Sequence, residues 1–587
     1  MATQDKTKQK LPRLLVGDQS FRLFIGTNAP FVDKTGMIRE LISESPGPYF
    51  LVRPRRFGKT LLLDTIRNIF EGNRKLFKDL EIGRDKSRKT GYDWQRFPVV
   101  HISFNGYPSD PGQFQEVLVS ALNGISGSHG LPTGEITTVS GISNVIERLS
   151  EAHPVSRQFG LDPKRKTDRM NVVLLIDEYD YPLISNIGDA GKTEELRTGL
   201  HDFYSSVKSC YEYLRFSMVV GVTKFTQLSM FSGMNNFKDI SLDERYAAIC
   251  GFTEDEITGH FSTHLLEMLD HLKTSGYYGE HCTVLDIMAD LKDWYDGYTW
   301  DGSSRVFNPY SVMSCLNSKS FGHYWYMSGQ PLLTSKLWNE NETYFKMFSK
   351  QFSFSGVIPE LDMTDINDSA AIFQGGYLTV ESIDLASGIP EYRLKCPNNE
   401  VSHAIIQEFI ARKGILTDGG VNINSKYGSL VDAFDSLDED TCSFLFSSCI
   451  SETASHLNTH AELVPHVMLY TLLNVKGQRA SMEVNLGDGR ADLMYRTPDG
   501  IFVIEIKYDR PGRDLTPEQV SERLDGCVAE AFRQIDERQY AKPNFVYGRN
   551  IYAVAVGVHG YSDAKIRFRR KIYRDGIICD IDPAGDI

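Results

Sequence analysis

The chain has 587 residues, 41% of them hydrophobic and 24% charged, with a formal net charge of −14. It is too long for one hydrophobic core, so about three domains are expected, and its acidity argues against coating nucleic acid with the whole surface while leaving room for a local basic groove. No uncharged apolar run is long enough to cross a bilayer, the first ten residues lack a signal-peptide core, and nine scattered cysteines without a C-x-x-C argue against structural zinc and a disulfide framework. The expected setting is cytoplasmic, reducing and free of membrane.

In chain order, residues 1–20 read as a flexible lead. Residues 31–45 carry apolar residues at helical spacing after Asp33, an N-cap candidate. Four apolar strand candidates follow, Tyr49–Val52, Val99–Phe104, Val172–Ile176 and Phe216–Val222. Near-continuous apolar strands between helical stretches predict a parallel sheet covered on both faces. Residues 253–450 read as a helical middle region. It opens on a capping-box pattern at Thr253-Glu-Asp-Glu256, and its clustered aromatics (Trp294 to Trp300, His323 to Tyr326) suit core packing better than base stacking. Residues 451–587 form the last domain, a helix followed by strands. It holds 18 Lys+Arg and 20 Asp+Glu, so it is nearly neutral. Its basic run Lys565-Ile-Arg567-Phe-Arg569-Arg570-Lys571 fits either a solvated edge strand or a phosphate contact.

The first strand ends in Arg53-Pro-Arg-Arg-Phe-Gly-Lys-Thr60, and Leu61-Leu-Leu63 opens a helix. Strand, turn and helix in that order make a phosphate loop. Backbone N–H groups and the helix N-terminus face the anion, Lys59 reaches the terminal phosphates, and the Thr60 hydroxyl holds Mg2+. The generic G-x-x-x-x-G-K-[ST] pattern wants glycine where this chain has Arg53. Arg53, Arg55 and Arg56 either fork onto phosphate oxygens or contact acidic protein surface. The strand Val172–Ile176 delivers Asp177-Glu178 to a sheet edge. There Asp177 would hold Mg2+ through water and Glu178 would polarise the attacking water. The next strand runs into Thr223, either a γ-phosphate sensor or an N-cap. The candidate nucleotide site is therefore Arg55, Arg56, Phe57, Gly58, Lys59, Thr60, Asp177, Glu178 and Thr223, with ATP and Mg2+ as cofactors. Arg245 is one of several arginines that a second subunit of a homo-oligomer would present.

Residues 489–507 read as two strands around Thr-Pro-Asp-Gly500. Glu505 and Lys507 share a strand face. If the turn centres on Pro498–Asp499, Asp492 lies opposite Glu505 on that face; a bulge at Gly500 would slip the register by one. The first register gathers two carboxylates and an ammonium. That set serves metal-assisted phosphodiester cleavage, with Asp492 and Glu505 holding Mg2+ and Lys507 placing the water or the developing charge. The apolar flanks Val503, Ile504 and Ile506 bury the strand, so Glu505 and Lys507 need each other or a metal.

Phe31-Val-Asp-Lys-Thr35, Arg53-Pro-Arg-Arg-Phe-Gly-Lys-Thr60, Leu175-Ile-Asp-Glu-Tyr-Asp180, Gly221-Val-Thr-Lys-Phe225 and Phe231-Ser-Gly-Met-Asn-Asn236 together resemble the AAA-ATPase-like family, P-loop proteins usually fused to a PD-(D/E)XK nuclease-like domain. The resemblance continues at Trp294-Tyr-Asp-Gly-Tyr298, Asn308-Pro-Tyr-Ser-Val312 and Gly376-Tyr-Leu-Thr379, covering nearly everything from residue 20 onward. In that family the Arg-Pro-Arg-Arg loop is normal. The resemblance implies an α/β fold: a P-loop NTPase with a parallel sheet at 21–252, the helical middle at 253–450, and a PD-(D/E)XK-like α/β domain at 451–587. It maps the nuclease pattern onto Asp492, Glu505 and Lys507, with Ala491 where the pattern has proline, and adds Glu483, Gln534 and, less directly, Glu462. Two functions stay open. One is an ATP-binding, ATP-hydrolysing protein with a metal-dependent nuclease acting on nucleic acid, DNA ahead of RNA. The other is a nucleotide-dependent switch whose nuclease-like domain only binds a partner.

Overall fold

Strands that are apolar along their whole length must be buried on both faces. A computed structural model describes residues 11–44, 47–84, 92–152, 171–225, 237–328, 352–361, 368–412, 423–454, 463–473, 480–486, 489–497, 500–510, 515–540, 550–560, 562–574 and 577–581. It gathers such strands, with one short polar strand at the edge, into an all-parallel sheet. They are β1 (Tyr49–Val52), β2 (Val99–Ser103), β3 (Val172–Asp177), β4 (Leu214–Gly221) and the two-residue β5 (Lys238–Asp239), in the order β2-β3-β4-β1-β5. Every residue of β1 and β3 is buried. Val52 pairs with Gly221 and Ile176 with Val219, so the chain leaves β1, β3 and β4 at one sheet edge. Ligands of open α/β sheets bind at that edge.

The described chain divides into two compact units: Met1–Met268 with Asp286–Asn339 and Lys350–Glu400, and Leu269–Leu285 with Glu340–Ser349 and Val401–Ile587. Residues 253–450 are thus shared between them. In the first unit the helix Glu254–His260 carries the capping box, Thr253 and Glu256 each taking the other's backbone N–H. Asp33 accepts the Thr35 N–H at the start of the helix Thr35–Glu44. The aromatics Trp294, Tyr295, Tyr298, Trp300 and Trp325 are buried, so they pack rather than offer stacking faces. A small antiparallel sheet, β6 (Ser353–Ser355), β7 (Thr379–Asp384) and β8 (Glu391–Lys395), interrupts the helical middle.

The second unit is built on a six-stranded sheet, β9 (Ala480–Leu486), β10 (Gly489–Thr497), β11 (Gly500–Asp509), β12 (Asn550–His559), β13 (Asp563–Arg574) and β14 (Ile577–Ile581), hydrogen-bonded in sequence order. β11 and β12 are parallel, and the helix Pro517–Glu537 makes the crossover. It starts on a Thr516–Gln519 capping box with proline in its first turn. The basic run lies on β13, between β12 and β14, not on an edge strand. Four of its five cations are taken by acids of neighbouring helices, Lys565 by Asp525, Arg567 by Glu439, and Arg569 and Lys571 by Asp536, while Arg570 donates to the Asn550 side-chain carbonyl. Where β14 stops short, the helix Glu439–Ala454 covers the exposed edge. Ser447 Oγ, Ser443 Oγ and Glu439 Oε1, four residues apart, accept the N–H groups of Ala564, Ile566 and Phe568. A helix with acceptors at that spacing supplies the missing ladder and blocks edge-to-edge pairing. No described helix is long and apolar enough to cross a membrane, and the described cysteines are free thiols.

Candidate functional site

Gly58 takes φ 86°, a left-handed turn that glycine adopts without strain, and the helix Lys59–Phe70 begins at the next residue. The turn opens onto a cavity of about 370 Å³ whose walls include Arg55, Arg56, Phe57, Gly58, Lys59, Thr60, Glu178 and Thr223. That volume falls within the range of small-ligand and cofactor sites. Lys59 is buried and donates to the carbonyls of Arg53 (2.8 Å) and Pro54 (2.9 Å). Burial lowers its pKa. A triphosphate entering the turn would replace two neutral acceptors with charged oxygens, an exchange that favours the anion.

Asp177 closes β3 and is buried behind Glu178, whose N–H it accepts at 2.9 Å. Glu178 sits at φ 49°, an uncommon backbone for a non-glycine residue, and faces the cavity. Burial, reinforced by Asp177, raises its pKa, which suits a group that accepts a proton. The strained turn is held from behind. Tyr179 Oη donates to the Thr223 carbonyl (2.6 Å), and Asp180 Oδ2 accepts from Val222 N, Thr223 N and Thr223 Oγ1 (2.9, 2.7 and 2.6 Å). A Cβ at Gly221 would stand 2.6 Å from the Tyr179 ring and 2.7 Å from Asp180, so only glycine lets the two loops meet. Thr223 therefore caps no helix. Its hydrogen is committed to Asp180, and toward the cavity its oxygen offers lone pairs only.

The three loop arginines divide. Arg53 does not reach phosphate. It is 1% exposed, donates to the carbonyls of Val52, Ser241 and Tyr246, and lies 3.9 Å over the Trp300 ring. Burial pulls its pKa down to about 10. Phe57 packs edge-on against Tyr298 and Trp300, so this turn is fixed by side chains where a glycine-rich loop relies on backbone alone. Arg56 stacks on Tyr310 and donates to Ser328, while Arg55 lines the cavity. Arg245 is held by Asp243 (2.6 Å) and Glu44 (3.4 Å) of its own fold.

In the second unit, Leu493 pairs with Ile504 and Thr497 with Gly500, an unbroken antiparallel register. Asp492 therefore lies opposite Glu505, and no bulge forms at Gly500; Pro498 and Asp499 themselves lie outside the described residues. Lys507 Nζ donates to Glu505 Oε1 (3.0 Å) and Gln534 Oε1 (2.6 Å), and Gln534 Nε2 donates to Tyr540 Oη (3.1 Å). Asp492 Oδ2 accepts the Ile506 N–H (2.7 Å) and stands 3.2 Å from His466 Nε2. Glu505 is 1% exposed, and its Oε2 is buried without a partner among the described residues. Burial first and Asp492 second push its pKa to about 7, with Lys507 opposing. Ala491 is buried in a core with Met494, Val503 and Ile535.

An orphaned buried carboxylate oxygen beside a second carboxylate is the setting a cation relieves. Among the described residues no three His, Cys, Asp or Glu side chains form a ready metal cage. Mg2+ needs no such cage, since it keeps several waters and uses one or two carboxylates. Asp492 and Glu505 fit that demand, and His466 adds a donor for a softer ion. Sequence reasoning missed His466. It lies on the apolar helix Leu463–Leu473, where its one signal is a lone imidazole in a largely apolar helix. Glu462 lies outside the described residues. Glu483 is a backbone position on β9, between the pairs Ala491–Val484 and Leu493–Met482.

These features define an α/β protein with a cavity at a strand–turn–helix loop on a parallel sheet and, in a second unit, an acid-and-lysine cluster on a mixed sheet. Residues 15–231 match the family model described as "Predicted AAA-ATPase", and residues 460–568 match the PD-(D/E)XK nuclease superfamily, both in one chain. The chain is 28% identical over 557 residues to an "Uncharacterized protein in vnfD 5'region" of Azotobacter chroococcum mcd 1, covering 94% of this chain and 96% of that protein. No solved structure matches it.

Proposed function

We propose that the protein binds and hydrolyses ATP and that its C-terminal unit is a metal-dependent nuclease acting on nucleic acid, DNA ahead of RNA. The observation that carries the second half is the register placing Asp492 opposite Glu505, with Lys507 bonded to Glu505 and Gln534. In the first site Lys59 and the turn amides bind the phosphates, and Thr60 and Asp177 hold Mg2+. Glu178, raised in pKa by burial, draws the proton from the attacking water. In the second site Asp492 and Glu505 would hold the ion, with His466 beside Asp492 at 3.2 Å. When bound, it supplies Lewis acidity and a more acidic water. Lys507, aimed by Gln534 and Tyr540, stabilises charge developing on the phosphodiester.

The test incubates the purified chain with plasmid, linear and single-stranded DNA and with RNA, in Mg2+ or Mn2+, with and without ATP. Cleavage that disappears in Glu505→Ala supports the reading. ATP turnover without cleavage of any substrate would instead favour a nucleotide-dependent switch whose nuclease-like unit binds a partner.

A further inference from the structure

Four of the five cations on β13 are spent on acidic helices and the fifth, Arg570, on the Asn550 amide, so the run is poorly placed to hold a nucleic-acid strand. A second cleft of about 400 Å³ lies in the C-terminal unit, with Arg490, Arg533, Arg538, Gln534 and Tyr540 on its walls. Glu530 and Glu537 also line it, so three guanidiniums face two carboxylates in a chain whose net charge is −14. Glu530, Arg533, Gln534 and Glu537 follow one another at i, i+3, i+4 and i+7 on the helix Pro517–Glu537, one continuous face. Arg490 stands two residues before Asp492 on β10, on the same strand face. All three arginines are exposed, and among the described residues Arg533 has no hydrogen-bond or ion-pair partner. The cleft adjoins the acid–lysine cluster through Gln534, which lines it and accepts from Lys507 Nζ at 2.6 Å. A Cβ at Gly489 would stand 3.0 Å from the Tyr540 ring, so glycine lets the start of β10 close against that ring.

We infer that this cleft holds the sugar-phosphate backbone of a single nucleic-acid strand beside the phosphodiester that Lys507 faces, with Arg490 and Arg533 forking onto phosphate oxygens. Planar guanidiniums bind phosphate bidentately and do so regardless of base. The lining is polar nearly throughout, and Tyr540, 2% exposed, offers no ring face for a base to stack on. The cleft is sized for about one nucleotide and is too small for a duplex. The inference rests on the nuclease reading for its place in a reaction, but its test needs no cleavage.

The experiment is fluorescence anisotropy of the full chain with a 3′-fluorescein-labelled single-stranded 20-mer in EDTA, across a salt series. Its arms carry a 5′-hydroxyl or a 5′-phosphate. Arg490→Ala/Arg533→Ala should weaken binding about tenfold or more and flatten the log Kd against log salt slope by roughly one, at about 0.7 for each phosphate left unneutralised. Arg490→Lys/Arg533→Lys, which keeps charge but not the fork, should fall between. Arg523→Ala, which removes an arginine of the same helix that is paired with Asp509 of β11, should bind within about twofold of wild type. The inference is overturned by unchanged affinity in the double alanine variant or by an equal loss in Arg523→Ala. A tenfold preference for the 5′-phosphate, marking a terminal monoester site, or no binding by wild type also overturns it. Wild type that binds through these arginines yet cuts nothing in Mn2+ loses only the nuclease reading. Cleavage with unchanged affinity in the double variant loses only this one.

Discussion

Replacing Glu505 with glutamine keeps the shape of the side chain and removes a charge buried with one oxygen unpartnered. Folding holds this carboxyl near 7, against an ordinary value of 4.5. The folded chain then binds the proton more tightly than the unfolded chain does. Stability falls as pH rises from the ordinary value through about 7, and the deficit is complete above that. The gap, with the opposing effect of Lys507 already in it, corresponds to at most about 3 kcal/mol, so about 1–3 kcal/mol is expected at pH 8.5. For a unit of this size that is several degrees in Tm. Calorimetry of wild type and Glu505→Gln at pH 5 and at pH 8.5, in EDTA, reads it on the transition of the C-terminal unit. The variant should gain on wild type only at the higher pH. Adding Mn2+ should then raise wild type, which has a charge to neutralise, and leave the variant unmoved. Parallel Tm values at both pH values would refute the argument that this carboxyl is desolvated without compensation.

Three further outcomes follow from the same geometry. Lys59→Ala should weaken ATP binding roughly tenfold to a hundredfold, the worth of its charge-assisted hydrogen bonds, while Lys507→Ala leaves it unchanged; titration of labelled ATP against both checks this. Arg53→Gly restores the generic loop glycine, yet it should cost about 2–4 kcal/mol of stability. It removes three hydrogen bonds to backbone carbonyls and the stack on Trp300, which a thermal melt of the nucleotide-binding unit reads. His466→Ala should weaken Mn2+ binding at the C-terminal site by about 10–100-fold while leaving ATP binding intact, as measured by calorimetric titration.

Local rules made most of the two sites legible. Strand, turn and helix around Gly58, the apolar run into Asp177-Glu178, and the alternation on β10 and β11 each follow from periodicity and turn chemistry, and the structure carries all three. What escaped was set by residues far apart in the chain. Arg53 reads equally as a phosphate ligand or a contact to acidic protein surface until Trp300, Ser241 and Tyr246 come to it. The cations of β13 read as an exposed face until Asp525, Asp536 and Glu439 arrive from two helices. His466 is an ordinary helix residue until the hairpin brings Asp492 within 3.2 Å. The edge acceptors Ser443, Ser447 and Glu439 have meaning only against β13.

The central claim is that Asp492 and Glu505 together bind a divalent ion at the place where Lys507 waits. Anomalous diffraction from crystals of the chain grown with Mn2+ measures this without reference to any substrate. The account predicts a peak shared by the two carboxylates and lost in Glu505→Gln. Crystals of ordered wild-type protein with no peak between those side chains would contradict it.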